Sequence, residues 1–158
     1  MENKLIKTLK EEIAGKKVLI LGFGREGKLN LEVVARAGEV SKIVIADQND
    51  INIEEARDIV TKAGSKNLDI STITGEDYLS HLDEFDIVFK SPGVVLPNPF
   101  YEYKALITSQ AQYFLKVYGG QTIGVTGTKG KSTTTTLIYH ELKENGFDTV
   151  LVGNIGIP

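Results

Sequence analysis

A chain of 158 residues, 41% hydrophobic and 25% charged, has the composition of a soluble globular protein and the length for one domain or one plus a piece of another. A net charge of −3 with both signs interspersed argues against a nucleic-acid-binding surface, and zero cysteines exclude disulfides and thiolate metal sites. No apolar run approaches membrane-spanning length and the first residues lack a signal-peptide pattern, so the expectation is a cytoplasmic protein with no membrane partner.

Residues 1–13 read as an amphipathic helix with Leu5, Ile6, Leu9 and Ile13 on one side. Val18 to Leu21 is a continuous apolar strand, and Gly22-Phe23-Gly24-Arg25-Glu26-Gly27 follows it as a strict G-x-G-x-x-G. The next helix, about 26–37, is expected to bury Leu29, Val33, Val34 and Ala37 and to stop at Gly38. Lys42 to Asp47 makes a second buried strand, ending in an acid twenty residues past Gly27. That is the dinucleotide fingerprint in full. Read alone it points to NAD, with Asp47 on the adenosine ribose hydroxyls, although any nucleotide or nucleotide-sugar diphosphate can use the same helix terminus.

The alternation continues. Asn52 with Glu55 predicts a capping box for a helix over 53–63; residues 68–73 alternate as a strand, 76–82 form a short helix, and Asp86 to Phe89 a strand running into Lys90-Ser91-Pro92-Gly93-Val94. Strands alternating with helices imply a parallel sheet whose ligands lie beyond the C-terminal strand ends, and Gly22, Asp47 and Ser91 all fall there. After Pro97-Asn98-Pro99, a helical turn at 101–104 leads to a short strand at 105–108 and a helix at 110–118, which Gly119-Gly120 ends. A domain boundary there divides the chain into 1–118 and 119–158. The expected class is α/β: a Rossmann-like parallel sheet with helices on both faces, followed by the first βαβ unit of a P-loop ATPase domain.

That second unit reads as strand Thr122 to Val125, a glycine-rich loop, a helix from Ser132 to Asn145 with Leu137, Ile138 and Leu142 on one face, and strand Thr149 to Val152. The loop, Gly127-Thr128-Lys129-Gly130-Lys131-Ser132-Thr133, is built for phosphates. Unpaired N–H groups and the dipole at a helix N-terminus favour an anion, glycine lets the backbone wrap it, Lys131 reaches the outer phosphates and the Ser132 hydroxyl can ligate Mg²⁺. The usual pattern places a glycine at position 125, which is Val125 here, with Gly124 one residue too early. Elsewhere the ordinary readings suffice: His81 and His140 as surface or packing residues, Glu11-Glu12, Glu54-Glu55 and Asp83-Glu84 as solvated faces, and Tyr101, Tyr103, Tyr113, Phe114 and Tyr118 as packing.

The loop G-T-K-G-K-S-T resembles that of the Mur ligases and folylpolyglutamate synthases. In order along the whole chain, G-F-G-R-E-G, I-A-D, S-P-G-V, G-V-T-G-T-K-G-K-S-T and G-N-I-G resemble the Mur ligases, closest to the family that joins D-glutamate to UDP-N-acetylmuramoyl-L-alanine. The resemblance implies that the first domain holds the UDP part of that substrate. Asp47, Gln48 and Asn49 would face uracil and ribose. Gly24, Arg25, Glu26 and Gly27 would receive the diphosphate, with Ser91, Pro92, Gly93 and Asn154. The second unit would bind ATP and Mg²⁺ through residues 127–133, with Lys131 catalytic and Ser132 reaching the metal; the substrate carboxylate then attacks the γ-phosphate and D-glutamate the resulting acyl phosphate.

The resemblance also implies an N-terminal part of a longer enzyme, inactive by itself, because the family's further metal ligands and D-glutamate residues have no counterpart in the chain. Two apolar strands and one helix cannot bury both faces of a parallel sheet, so residues from about 121 onward are expected to dock, to pair in a dimer or to stay mobile. Two other readings stay open: an NAD-binding oxidoreductase domain, which leaves the second loop unexplained, and a noncatalytic P-loop module, which leaves the first motifs unexplained.

Overall fold

A computed structural model describes residues 4–65 and 68–153. The chain divides into two compact units, Met1–Gly120 and Gln121–Pro158. In the first, helix α1 (Lys4–Ile13) precedes β1 (Lys17–Leu21), α2 (Arg25–Ala37), β2 (Lys42–Asp47), α3 (Ile53–Lys62), β3 (Ile70–Thr74), β4 (Ile87–Lys90), β5 (Leu106–Thr108) and α4 (Gln110–Tyr118). The five strands form one parallel sheet in the order β3-β2-β1-β4-β5, with Val18 opposite both Ile43 and Ile87.

This order follows from chain direction and handedness. The path steps outward from β1 to β2 to β3, then returns past β1 to β4 and β5. Because crossovers between parallel strands are right-handed, the reversal moves the connections to the opposite face. Side chains of β1 alternate accordingly: Val18 and Ile20 pack with Leu9, Ile13, Leu31, Val34, Ala56 and Val60 under the α-helices, whereas Leu19 and Leu21 pack with Leu82, Phe85, Ala105 and Ile107 on the other side. Between β1 and β4 the sheet has its switch point, where crevices open beyond the strand ends.

The second face is covered differently from the expectation. Instead of a short α-helix at 76–82 there are 3₁₀ turns at Gly75–Leu79 and Leu82–Glu84. Leu79 from the first turn, Leu82 from the second and Phe85 just after it all pack on the cluster with Val88. The helical turn after Pro99 is likewise 3₁₀, Phe100–Glu102. In α2 the buried residues are Gly27, Asn30, Leu31, Val34, Ala35 and Ala37, with Leu29 and Val33 only half-buried. The close seat of Gly27 on the glycine loop sets the rotation of this helix, and Leu31 and Val34 follow at helical spacing. Asn52 caps α3 by accepting from the N–H groups of Glu54 and Glu55, but the Glu55 side chain pairs with Lys28 instead of closing the box.

The second unit keeps its helix, α5 (Lys131–Glu144), and loses both expected strands. Residues 122–127 and 147–151 have no regular structure, with one isolated bridge at Val152. A parallel strand exists only through its ladder. With no neighbouring strand among the described residues of this unit, Ile123 and Val150 stay 60% and 72% exposed, and no described residue of α5 is buried.

Candidate functional site

Beyond the C-terminal ends of β1, β2 and β4 lies a cleft of about 400 Å³. The loop after β1 contributes Gly22, Gly24, Arg25 and Glu26; the end of β2 contributes Asp47, Gln48 and Asn49; the turn after β4 contributes Ser91, Pro92, Gly93 and Val94. Tyr78, from the first 3₁₀ turn, completes the wall.

Close backbone approach dictates the glycines. Gly22 has φ +89°, and a Cβ there would lie 2.9 Å from the Ser91 Cβ and 3.0 Å from the Val94 Cγ2. A Cβ on Gly27 would lie 1.8 Å from the Gly22 carbonyl oxygen, so only glycine lets α2 start this close to the strand end. Gly24, by contrast, is exposed with no atom within 4 Å of its would-be Cβ, and it is the N-cap of α2 without any side-chain cap. The first N–H groups of α2 therefore face the cleft mouth without a side-chain acceptor, which favours an anion. Arg25 is exposed and unpaired among the described residues, so its guanidinium is available to that anion, whereas Lys28 is held by Glu55 and sits over the Phe23 ring.

Asp47 is used from within. Its Oδ2 accepts from the Phe23 N–H at 2.7 Å, and its Oδ1 accepts from the Asn49 N–H at 2.9 Å and the Asn49 Nδ2 at 3.1 Å. The acid at the end of β2 thus pins the glycine loop to the next turn. Ser91 does the same from the other side: its N–H donates to the Leu21 carbonyl at 2.8 Å and its Oγ to the Gly22 carbonyl at 3.1 Å. Sequence reasoning located Gly24, Arg25, Glu26, Asp47, Gln48, Asn49, Ser91, Pro92 and Gly93 at one cleft. Gly27, expected with them, sits in the first turn of α2, packed against the Gly22 carbonyl. Sequence reasoning missed Tyr78, hidden in a segment that reads as helix, and Val94. Asn154 lies outside the described residues.

In the second unit the glycine-rich loop is contained in its own backbone. Gly127 and Gly130 take φ +148° and +77°, and Gly130 is the N-cap of α5 with no side-chain cap. Lys131 begins the helix and folds back across the loop, its Nζ donating to the Gly127 carbonyl at 2.6 Å. Ser132 and Thr133 follow in the exposed first turn. Among the described residues there is no cluster of three acidic or histidine side chains placed to hold a metal ion. Nor is any described helix long and apolar enough to cross a membrane.

Residues 4–102 match the family model described as shikimate / quinate 5-dehydrogenase. The chain is 33% identical over 153 residues to the UDP-N-acetylmuramoylalanine–D-glutamate ligase of Clostridium kluyveri, and 34% identical over 158 residues to that of Clostridium botulinum. Each similarity covers 94% of this chain and 32% of the relative, so the chain spans about a third of the length of the curated relatives it matches. Among solved structures, the shikimate dehydrogenase of Mycobacterium tuberculosis is similar with a TM-score of 0.48 and 16% identity, over 89% of this chain and 62% of that one.

Proposed function

The chain belongs to the Mur ligase family, its residues 4–102 forming the Rossmann-type domain shared with the shikimate/quinate 5-dehydrogenase family, and on that premise we propose that its cleft binds the UDP part of UDP-N-acetylmuramoyl-L-alanine. In this reading the first turn of α2 and Arg25 take the diphosphate, and Gln48, Asn49 and Tyr78 line the end where ribose and uracil lie. Asp47 and Ser91 hold the two rims of the glycine loop. The observation that carries the reading is that the similarity to D-glutamate ligases covers 94% of this chain and so extends into both units, whereas the dehydrogenase match ends at residue 102. An NAD-binding domain remains the second reading, favoured by that match and by the complete G-x-G-x-x-G.

The whole protein is then a ligase of peptidoglycan synthesis, joining D-glutamate to the lactyl-alanine carboxylate at the expense of ATP. Bound Mg-ATP would supply the phosphoryl group that activates this carboxylate. The chain's own residues would do the positioning: the N–H groups opening α5 would hold the phosphates, the Ser132 hydroxyl would serve as a metal ligand, and Lys131, now on the Gly127 carbonyl, would balance charge on the transferred group. A thermal-shift panel of UDP-N-acetylmuramoyl-L-alanine, UDP, NAD and Mg-ATP tests the assignment. Stabilisation by the first two supports it; stabilisation by NAD alone favours the dehydrogenase-like alternative.

A further inference from the structure

Lys90, the last residue of β4, belongs to no motif, yet its side chain has a defined task. It is half-buried, and its Nζ donates to two carbonyl oxygens of the turn that follows, Ser91 at 3.0 Å and Val94 at 2.7 Å. Val94 closes the same turn by donating its N–H to the Ser91 carbonyl at 3.2 Å. Ser91 then bridges to Leu21 and Gly22. One ammonium thus fixes the shape of Ser91 to Val94, all of which line the cleft, and through Ser91 the turn buttresses the glycine loop.

Stability alone does not call for a lysine here. An apolar residue would finish β4 without removing a cation from water, and no carboxylate pairs with Lys90 among the described residues. Two of its three donors go to neutral carbonyls of the turn that lines the cleft, and no described carboxylate lies within ion-pair distance of it. We propose that Lys90 is a positioning residue for an anionic ligand: it clamps the Ser91–Val94 turn in the binding shape and brings a positive charge to the back of that turn. The inference rests on the reading of the cleft as a nucleoside-diphosphate site.

The test uses the full chain with UDP as the probe. Lys90→Met keeps the aliphatic stem and is expected to weaken UDP binding about tenfold in calorimetry, roughly the loss of one charge-assisted interaction. Lys90→Arg, still cationic and a donor, should stay within about threefold. A folded Lys90→Met chain with unchanged affinity overturns the clamp, as does equal loss in both variants. Should Lys90→Met not fold, hydrogen exchange on the unaltered chain decides: the Val94 amide is expected to be protected before any UDP is added, and exchange there at open-loop rates refutes the proposal. If the unaltered chain shows no heat with UDP, the nucleotide reading fails, while Val94 protection still judges the clamp.

Discussion

Gly27→Ala is the sharpest perturbation the geometry offers. Its Cβ would stand 1.8 Å from the Gly22 carbonyl oxygen. A carbon–oxygen contact relaxes at about 3.3 Å, so α2 and the glycine loop must part by about 1.5 Å. The atom in the way is backbone, and α2 is anchored behind by the fully buried Leu31 and Val34, so neither side yields easily. Overpacking of this kind costs about 3 kcal/mol, at the upper end of its usual range. At about 4 °C per kcal/mol for a unit of this size, the midpoint should fall by about 12 °C. Gly24→Ala is the control, since its Cβ meets nothing within 4 Å. It should cost less than about 1 kcal/mol. Thermal unfolding followed by circular dichroism compares the two. A Gly27→Ala chain within about 2 °C of the unaltered one, or a Gly24→Ala chain equally destabilised, would refute the reasoning.

Asp47→Ala should destabilise by about 2 kcal/mol, because it leaves the Phe23 N–H without its acceptor while water replaces that of the exposed Asn49, and should weaken whichever nucleotide the cleft binds; urea unfolding and calorimetry read the two effects. Lys131→Ala should leave stability unchanged, since the side chain is exposed and bonded only to its own loop, yet lower kcat in the whole ligase by orders of magnitude with UDP-substrate binding intact. Tyr113 has its phenol pushed upward, first by burial and then by the Glu12 carboxylate, so the folded state holds this proton longer than the unfolded chain does. Stability from this group is therefore complete below about pH 10 and lost as pH rises beyond it, and Tyr113→Phe should flatten that alkaline decline in a pH series of urea midpoints. Amides of Ile123 and Val150, outside any ladder, should exchange orders of magnitude faster than those of Val18 to Leu21.

The sheet was legible because each inner strand is a short apolar run, β1 closed by Gly22, β2 by Asp47 and β4 by the Ser91-Pro92-Gly93 turn, and because G-x-G-x-x-G fixes where β1 stops and α2 starts. The cleft was legible for the same reason: Gly22, Asp47 and Ser91 sit at strand ends, and parallel topology gathers such ends. What the residues could not reveal depends on distant partners. Leu79, Leu82 and Phe85 suit an α-helix as well as two 3₁₀ turns until the second core cluster is there to pack against. Asp47 reads as a ligand residue from its strand-end position, and only the fold shows that its oxygens also meet the Phe23 and Asn49 donors and pin the glycine loop. Thr122 to Val125 has the composition of a buried strand, but composition does not supply the neighbour that a parallel strand needs.

Amide chemical-shift mapping of the cleft tests the central claim most directly. Titration with UDP should give saturable shifts at Gly24 to Gly27, Gln48, Asn49 and Ser91, Gly93 and Val94, while NAD at the same concentration leaves them in place. Saturable shifts of those amides with NAD and none with UDP would contradict the assignment.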